Sequence, residues 1–324
     1  VSSTSLNLKA NQTARTIRQI QFLLRALSKA GIWIPLRKWR QFYLIALTRW
    51  SRNQYLPRFA RGQDYNDMIA FAALFQLTED MSKYTDKILV REYIKQCIGD
   101  QHLSEILQVT DDPNSLNFES ARGNYIKTNN SSGHVWPISQ NTKASHLLPE
   151  IEDALNQTYG TEKGERLYQH IAPKVFIEKT IEPRRGSGLD EFKFIFHYGH
   201  LLWMYVGSSK EAEKKMWHCF DGEQNPLYSC FEEHDEMIDP THQNMDCFID
   251  RESLAEMISL GKKCTEPFHF CRFDSFLAKD EIIFSELTFM PQSANWIRNA
   301  PEGKLALQRF PEFFRKDKIR PLEE

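Results

Sequence analysis

Apolar residues recur along this chain with two periods. Over residues 13–47 the spacing is helical, with Ile17, Ile20, Leu23, Leu24 and Leu27 on one side and Arg18, Arg25 and Lys29 around the other. Gly31 and Pro35 divide that stretch, and a second helix is expected over 36–50, where Trp39, Phe42, Tyr43, Leu44 and Leu47 alternate with Arg37, Lys38, Arg40 and Arg49. Helical spacing returns over 65–77 and again over 86–98, the latter closed by Gly99. After a polar loop at 111–117 the period shortens to two. Strands are expected over 124–128, 174–179, 191–197, 201–206, 268–276 and 282–289, separated by helices near 147–158, 162–171 and 251–260. Several strands are joined by short turns, so the pattern predicts an α+β fold with largely antiparallel sheet. The tail after Pro311 is charged and is expected to cover the surface.

Composition narrows this picture. With 41% apolar residues, 324 residues suffice for two domains, or for one large domain with an arm. No run approaches the roughly 20 apolar residues of a membrane span, and a cytoplasmic location is expected. The six cysteines are scattered, which predicts reduced thiols; Cys219, Cys230, His234 and His242 share one irregular stretch without zinc-site spacing. Charge is less even. Residues 1–63 hold twelve Lys or Arg and no Asp or Glu, whereas the whole chain has net charge -2. A basic arm therefore precedes an acidic body. Two readings of the arm stand: a helical pair packed on the body, or a peripheral contact with the anionic inner face of a membrane.

The densest candidate chemistry lies on two of the strands. Parity puts Arg272 and Asp274 on one face of the first, and Glu286 and Thr288 together on the second. The short polar link at 277–281 predicts a hairpin. Centred on Asp280, it sets Asp274 across from Glu286 and Arg272 across from Thr288. Paired carboxylates about 5 Å apart repel unless a cation joins them. Either Arg272 forms ion pairs with both, or a hard divalent cation sits there. Oxygen ligands without His or Cys favour Mg²⁺ or Mn²⁺, and Mg²⁺ on so few carboxylates draws its other ligands from phosphate and water.

Five segments in order resemble the TupA-like (teichuronopeptide biosynthesis) branch of the ATP-grasp superfamily. They are Asp86-Lys87-Ile88-Leu89-Val90-Arg91-Glu92-Tyr93-Ile94, Ile126-Lys127-Thr128-Asn129-Asn130-Ser131-Ser132-Gly133-His134, Val175-Phe176-Ile177-Glu178-Lys179-Thr180-Ile181, Cys247-Phe248-Ile249-Asp250-Arg251-Glu252, and Arg272-Phe273-Asp274 through Glu286-Leu287-Thr288-Phe289. The resemblance implies an ATP-grasp fold, two α+β lobes with ATP between them. It divides the chain into a basic helical region (1–80), an N-lobe (81–180), a C-lobe (181–310) and a charged tail (311–324). It further implies that Lys87 and Lys127 bind phosphates. Asn129, Asn130, Ser131, Ser132 and Gly133 would form the phosphate-covering loop, and Glu178, Lys179 and Ile181 the adenine hinge. Asp274, Glu286 and Thr288 would be metal ligands and Arg272 the catalytic cation. Lys193, opposite the buried face of its strand, is expected near ribose or phosphate. Thr288 stands where many ATP-grasp ligases carry Asn, and Pro291-Gln292-Ser293-Ala294 where a Gly-rich turn is expected.

The activity so implied is ATP-dependent joining of a carboxylate to an amine through an acyl phosphate. The expected substrates are an amino acid and a uronic-acid sugar or acidic cell-surface polysaccharide. Two other outcomes stand beside it: a kinase acting on a sugar or glycan hydroxyl, and a non-catalytic nucleotide- or glycan-binding assembly protein. Nucleic acid is not an expected partner, and the sequence sets no oligomeric state.

Overall fold

A computed structural model describes residues 42, 43, 45–47, 49, 50, 56–58, 62–157, 160, 165–184, 188–208, 216–227, 244–279, 281–294 and 301–322, and the structural statements below concern these. Most of the basic arm lies outside them, as do Cys230, His234 and His242 of the irregular cysteine-histidine stretch.

Helix α1 (Tyr65–Phe75) starts where the Asp64 side chain accepts from the Asp67 backbone N–H at 2.9 Å. Its residues from Tyr65 to Leu74 are buried on every side, as expected of a central core helix. Tyr65 meets Trp203 edge-on with ring centroids 4.8 Å apart. Helix α2 (Ser82–Thr85) leads to a turn in which Asp86 accepts from the backbones of Ile88 and Leu89 at 2.8 and 3.2 Å. That local competition delays the next helix, α3 (Val90–Ile98), four residues beyond the start its pattern suggested, and leaves Lys87 on the turn.

The first sheet is four-stranded and antiparallel, formed by β1 (Ile106–Thr110), β2 (Tyr125–Thr128), β3 (Val135–Pro137) and β4 (Val175–Glu178) in the order β1-β4-β2-β3. A short helix, α4 (Phe118–Ala121), precedes β2, and α5 (Ala144–Asn156) follows β3. Ile126, Ile177, Val175, Leu147 and Ile151 form a core separate from the rest of the molecule.

The second sheet has five antiparallel strands: β5 (Asp190–His197), β6 (His200–Ser208), β7 (Met216–Asp221), β8 (Cys271–Leu277) and β9 (Ile282–Thr288), in the order β7-β6-β5-β8-β9. Phe192, Phe194 and Phe196 point into the large core, as their alternation predicts. Helix α6 (Arg251–Thr265) packs across β5 and β8 and against α3. Gly261 permits that approach, since a Cβ there would stand 2.7 Å from the Phe196 ring. After α7 (Pro301–Arg309) the tail does more than cover the surface, because Phe313 is fully buried against His269 and Phe270. Among the described residues, no helix is long and apolar enough to cross a membrane.

Candidate active site

The β8–β9 hairpin sets Asp274 opposite Glu286 and Arg272 opposite Thr288, by a route that parity did not foresee. Next to the turn, Leu277 pairs with Ile282 and Ser275 with Phe284; the register then slips by one, leaving Ser285 as the extra residue of a β-bulge. Without the bulge, Asp274 would face Ser285. Arg272 knits the cluster together. Its Nε and Nη2 donate to the two Asp274 oxygens at 2.7 and 2.6 Å, and Nη2 also donates to Glu286 Oε1 at 2.9 Å and to Thr288 Oγ1 at 3.1 Å. The Thr288 hydroxyl donates to the same Glu286 oxygen at 3.0 Å. From β5, the neighbour of β8, Lys193 Nζ lies 3.5 Å from Asp274 and 3.0 Å from Glu191.

These contacts order the charges. Burial opposes the Arg272 charge, but Asp274 and Glu286 outweigh it and raise the guanidinium pKa. Burial likewise opposes ionised Glu286, yet Arg272, Lys87 and Lys193 hold it below the usual carboxylate range. At Asp274 burial pushes the carboxyl up, against Arg272 and Lys193.

The four-stranded sheet faces this wall. Lys127 on β2 pairs with Glu178 on β4, whose other oxygen accepts from Ser104, and Arg91 donates to the Ser104 carbonyl. Lys87 donates to the Ser131 carbonyl; burial, with the Lys127 charge, lowers its pKa against the pull of Glu286 and Asp86. The loop after Lys127 divides in two. Asn129, Asn130 and Ser131 are buried, Asn129 bonding to Asp86 at 2.9 Å and to the Lys174 backbone N–H at 2.7 Å. Ser132 and Gly133 are exposed.

Between the sheets lies a cleft of about 520 Å³. It gathers Lys87, Lys127, Ser132, Gly133, Lys193 and Glu286, along with Glu178, Lys179 and Ile181, where the hinge is expected. Asn129, Asn130 and Ser131 stand behind its surface as loop anchors, and Arg272, Asp274 and Thr288 stand behind Glu286. The sequence reading had not singled out Arg91, Phe276 or Phe284, which also line it. Phe276 shares the parity of Arg272 and Asp274, a signal that was available; Arg91 reaches the cleft only through the course of α3.

For a divalent cation the donor chemistry fits. Glu286 opens on the cleft with Oε2 unbonded among the described residues, while the oxygens of Asp274 and Thr288 stand behind it, bonded to Arg272. Among the described residues, no group of three or more His, Cys, Asp or Glu forms a metal cage. Such a set suits an ion that completes its shell with phosphate and water.

The turn that follows β9 is strained. Gln292, Ser293 and Ala294 have φ of 51°, 54° and 60°, a conformation that costs a non-glycine residue about 1–2 kcal/mol. The expected Gly-rich turn is thus present in backbone shape without glycine.

Comparison with known proteins agrees with the architecture. A family model described as TupA-like ATP-grasp matches residues 68–300. No curated protein matches the chain. Among solved structures, the D-alanine–D-alanine ligase from Bacillus anthracis complexed with ATP is 14% identical, with 85% of this chain and 76% of that chain covered and a TM-score of 0.42. The ATP-grasp ligase PsnB complexed with minimal precursor is 10% identical, with 78% and 69% covered and a TM-score of 0.39. With the family model spanning both sheets, from α1 to beyond the β8–β9 hairpin, this chain belongs to the TupA-like ATP-grasp family.

Proposed function

We propose that this chain is an ATP-dependent carboxylate–amine ligase that attaches an amino acid to a uronic-acid sugar or an acidic cell-surface polysaccharide. The observation that carries the reading is the convergence on one cleft of Lys87 from a turn, Arg91 from α3, Lys127 from the four-stranded sheet and Lys193 from the five-stranded sheet, with Glu286 held ionised among them. Cations with one depressed carboxylate suit a polyphosphate bound with a divalent cation. Lys87 and Lys127 hold phosphate oxygens, Ser132 and Gly133 offer backbone N–H groups over them, and Phe276, Phe284 and the 178–181 hinge enclose the base.

Glu286, with Thr288 and Asp274, would hold Mg²⁺ or Mn²⁺, which screens phosphate charge against the incoming carboxylate. An oxygen of the acid attacks the γ-phosphorus and ADP leaves; the amine nitrogen then attacks the acyl carbon and phosphate leaves. In the described conformation Arg272 fixes Glu286 and Asp274 in place, and its charge favours the anionic phosphoryl group. A cytoplasmic enzyme of this kind, acting on a lipid-linked glycan, also gives the basic 1–63 segment a role at an anionic membrane face. Salt-sensitive binding to anionic vesicles reads that out.

The deciding experiment is an ADP-release screen of amino acids against nucleotide-linked uronic acids, with mass detection of the product. The expected result is ADP together with an amide, each needing both substrates, and a hydroxamate when acid alone is trapped with hydroxylamine. ADP formed with a sugar hydroxyl and no amine replaces the ligase by a kinase. Nucleotide binding without turnover replaces it by a binding protein.

A further inference from the structure

The left-handed turn at Gln292, Ser293 and Ala294 comes directly after the strand that carries Glu286 and Thr288. Single L-residues visit that region; consecutive ones need outside support. Two side chains supply it. Arg49 is fully buried, and its Nε and Nη2 both donate to the Ala294 carbonyl, at 3.1 and 2.6 Å. Nη2 also donates to the Asn66 carbonyl at 2.8 Å, and Nη1 to Asp67 Oδ1 at 3.2 Å. At the centre of the turn, Ser293 Oγ donates to Glu165 Oε1 at 2.8 Å. Glu165 is among the carboxylates that act on Lys87, and it borders one small cavity together with Thr288. The turn thus joins a residue far upstream in the chain to Glu165, whose charge acts on Lys87.

We propose that Arg49 is a positioning residue of this site: by gripping the Ala294 carbonyl it keeps the turn left-handed and Ser293 on Glu165, which borders a small cavity with Thr288 behind the cleft. Arginine suits the task because its planar fork places two donors on one carbonyl while others reach a second carbonyl and a carboxylate; lysine offers a single nitrogen. One base of the 1–63 segment then belongs inside the enzyme. The effect on turnover rests on the ligase reading, while the grip on the turn does not.

Glycine rescue tests the idea on the full chain. Arg49→Met is expected to speed amide hydrogen exchange over 289–294 and to lower kcat about tenfold, with KM for ATP held within about twofold. Adding Gln292→Gly and Ala294→Gly, which adopt positive φ freely while keeping Ser293, restores both readouts. In the Arg49 background the same two glycines relieve strain and raise the melting temperature by about 2–4 °C. That measurement decides the matter even where Arg49→Met does not fold. Unchanged exchange and kcat in Arg49→Met, a loss that glycine does not rescue, or glycine variants that melt no higher would each overturn the proposal. Hydrogen exchange and melting need no substrate, so a wild-type chain that released no ADP would sink the ligase reading and leave this test intact.

Discussion

The two walls of the cleft carry their charges in opposite ways. On the five-stranded wall each charge is bonded along its own strand and across to the next: Asp274 to Arg272 and Lys193, and Glu286 to Thr288 and Arg272. Behind that wall, Phe194, Phe273 and Leu287 merge into the large core under α6. On the four-stranded wall Lys127 ends on the mostly buried Glu178 carboxylate, Lys87 on the neighbouring turn ends on a backbone carbonyl, and the sheet rests on its own small core. Placement by a deep buried network fixes a charge more firmly than placement on a thin sheet. Under the proposed ligase reading, the geometry of phosphoryl transfer falls to the first wall and the grip on the nucleotide to the second.

The largest effect should come from the firm wall. Asp274→Asn keeps the shape but removes the charge that holds Arg272, and turnover at saturating ATP is expected to fall about 10²–10³-fold. A change under threefold in ADP release would show that the network is mere packing. Next comes the thin wall's core. Ile177→Ala, at a fully buried position between Ile126 and the β1 edge, is expected to cost about 3 kcal/mol. Hydrogen exchange should rise in β1–β4 and stay unchanged in β5–β9; equal loosening of both sheets contradicts the separation of cores.

Acid is expected to find the large core first. Burial, aided by His197, holds the His269 pKa down at about 3. The unfolded chain takes up a proton there near pH 6.5, so stability is complete above that value and declines as pH falls toward 3, by about 1.4 kcal/mol per pH unit. Denaturant melts at pH 7.5 and 5.5 measure the slope, and His269→Phe should flatten it by one proton. The smallest expected effect is at Lys127. Lys127→Met should weaken ATP binding about tenfold, some 1.4 kcal/mol, with little change in turnover at saturation. Calorimetry with ATP reads the affinity, and a fall in turnover as large as that of Asp274→Asn would erase the division of labour.

Legibility in the sequence followed burial. The hairpin was readable because one buried and one polar face impose strict alternation on Phe273 and its neighbours, and the link to Ile282 is short. β1 was missed since Leu107 and Val109 are exposed on an edge strand, where burial enforces no pattern. β3 spans three residues and ends in Pro137, too short for any period. Within the loop after Lys127, the sequence did not separate Asn129, tied to Asp86 and Lys174, from exposed Gly133, because that difference rests on contacts made by distant residues. In sequence Arg49 is one more base of the arm, and only its partners, Ala294 above all, set it apart.

The bulge at Ser285 has a consequence for recognising relatives of this hairpin. Two sequences can share the arginine, both acids and the threonine in matching columns and still differ by one residue between Phe284 and the second acid. The shorter one keeps every letter of the motif but forms a flush ladder, without the bend that turns Ser285 and Glu286 together toward the cleft. In sorting such chains, a single gap on this strand therefore outweighs several substitutions, and the interval between aromatic and acid is a better signature than the letters alone.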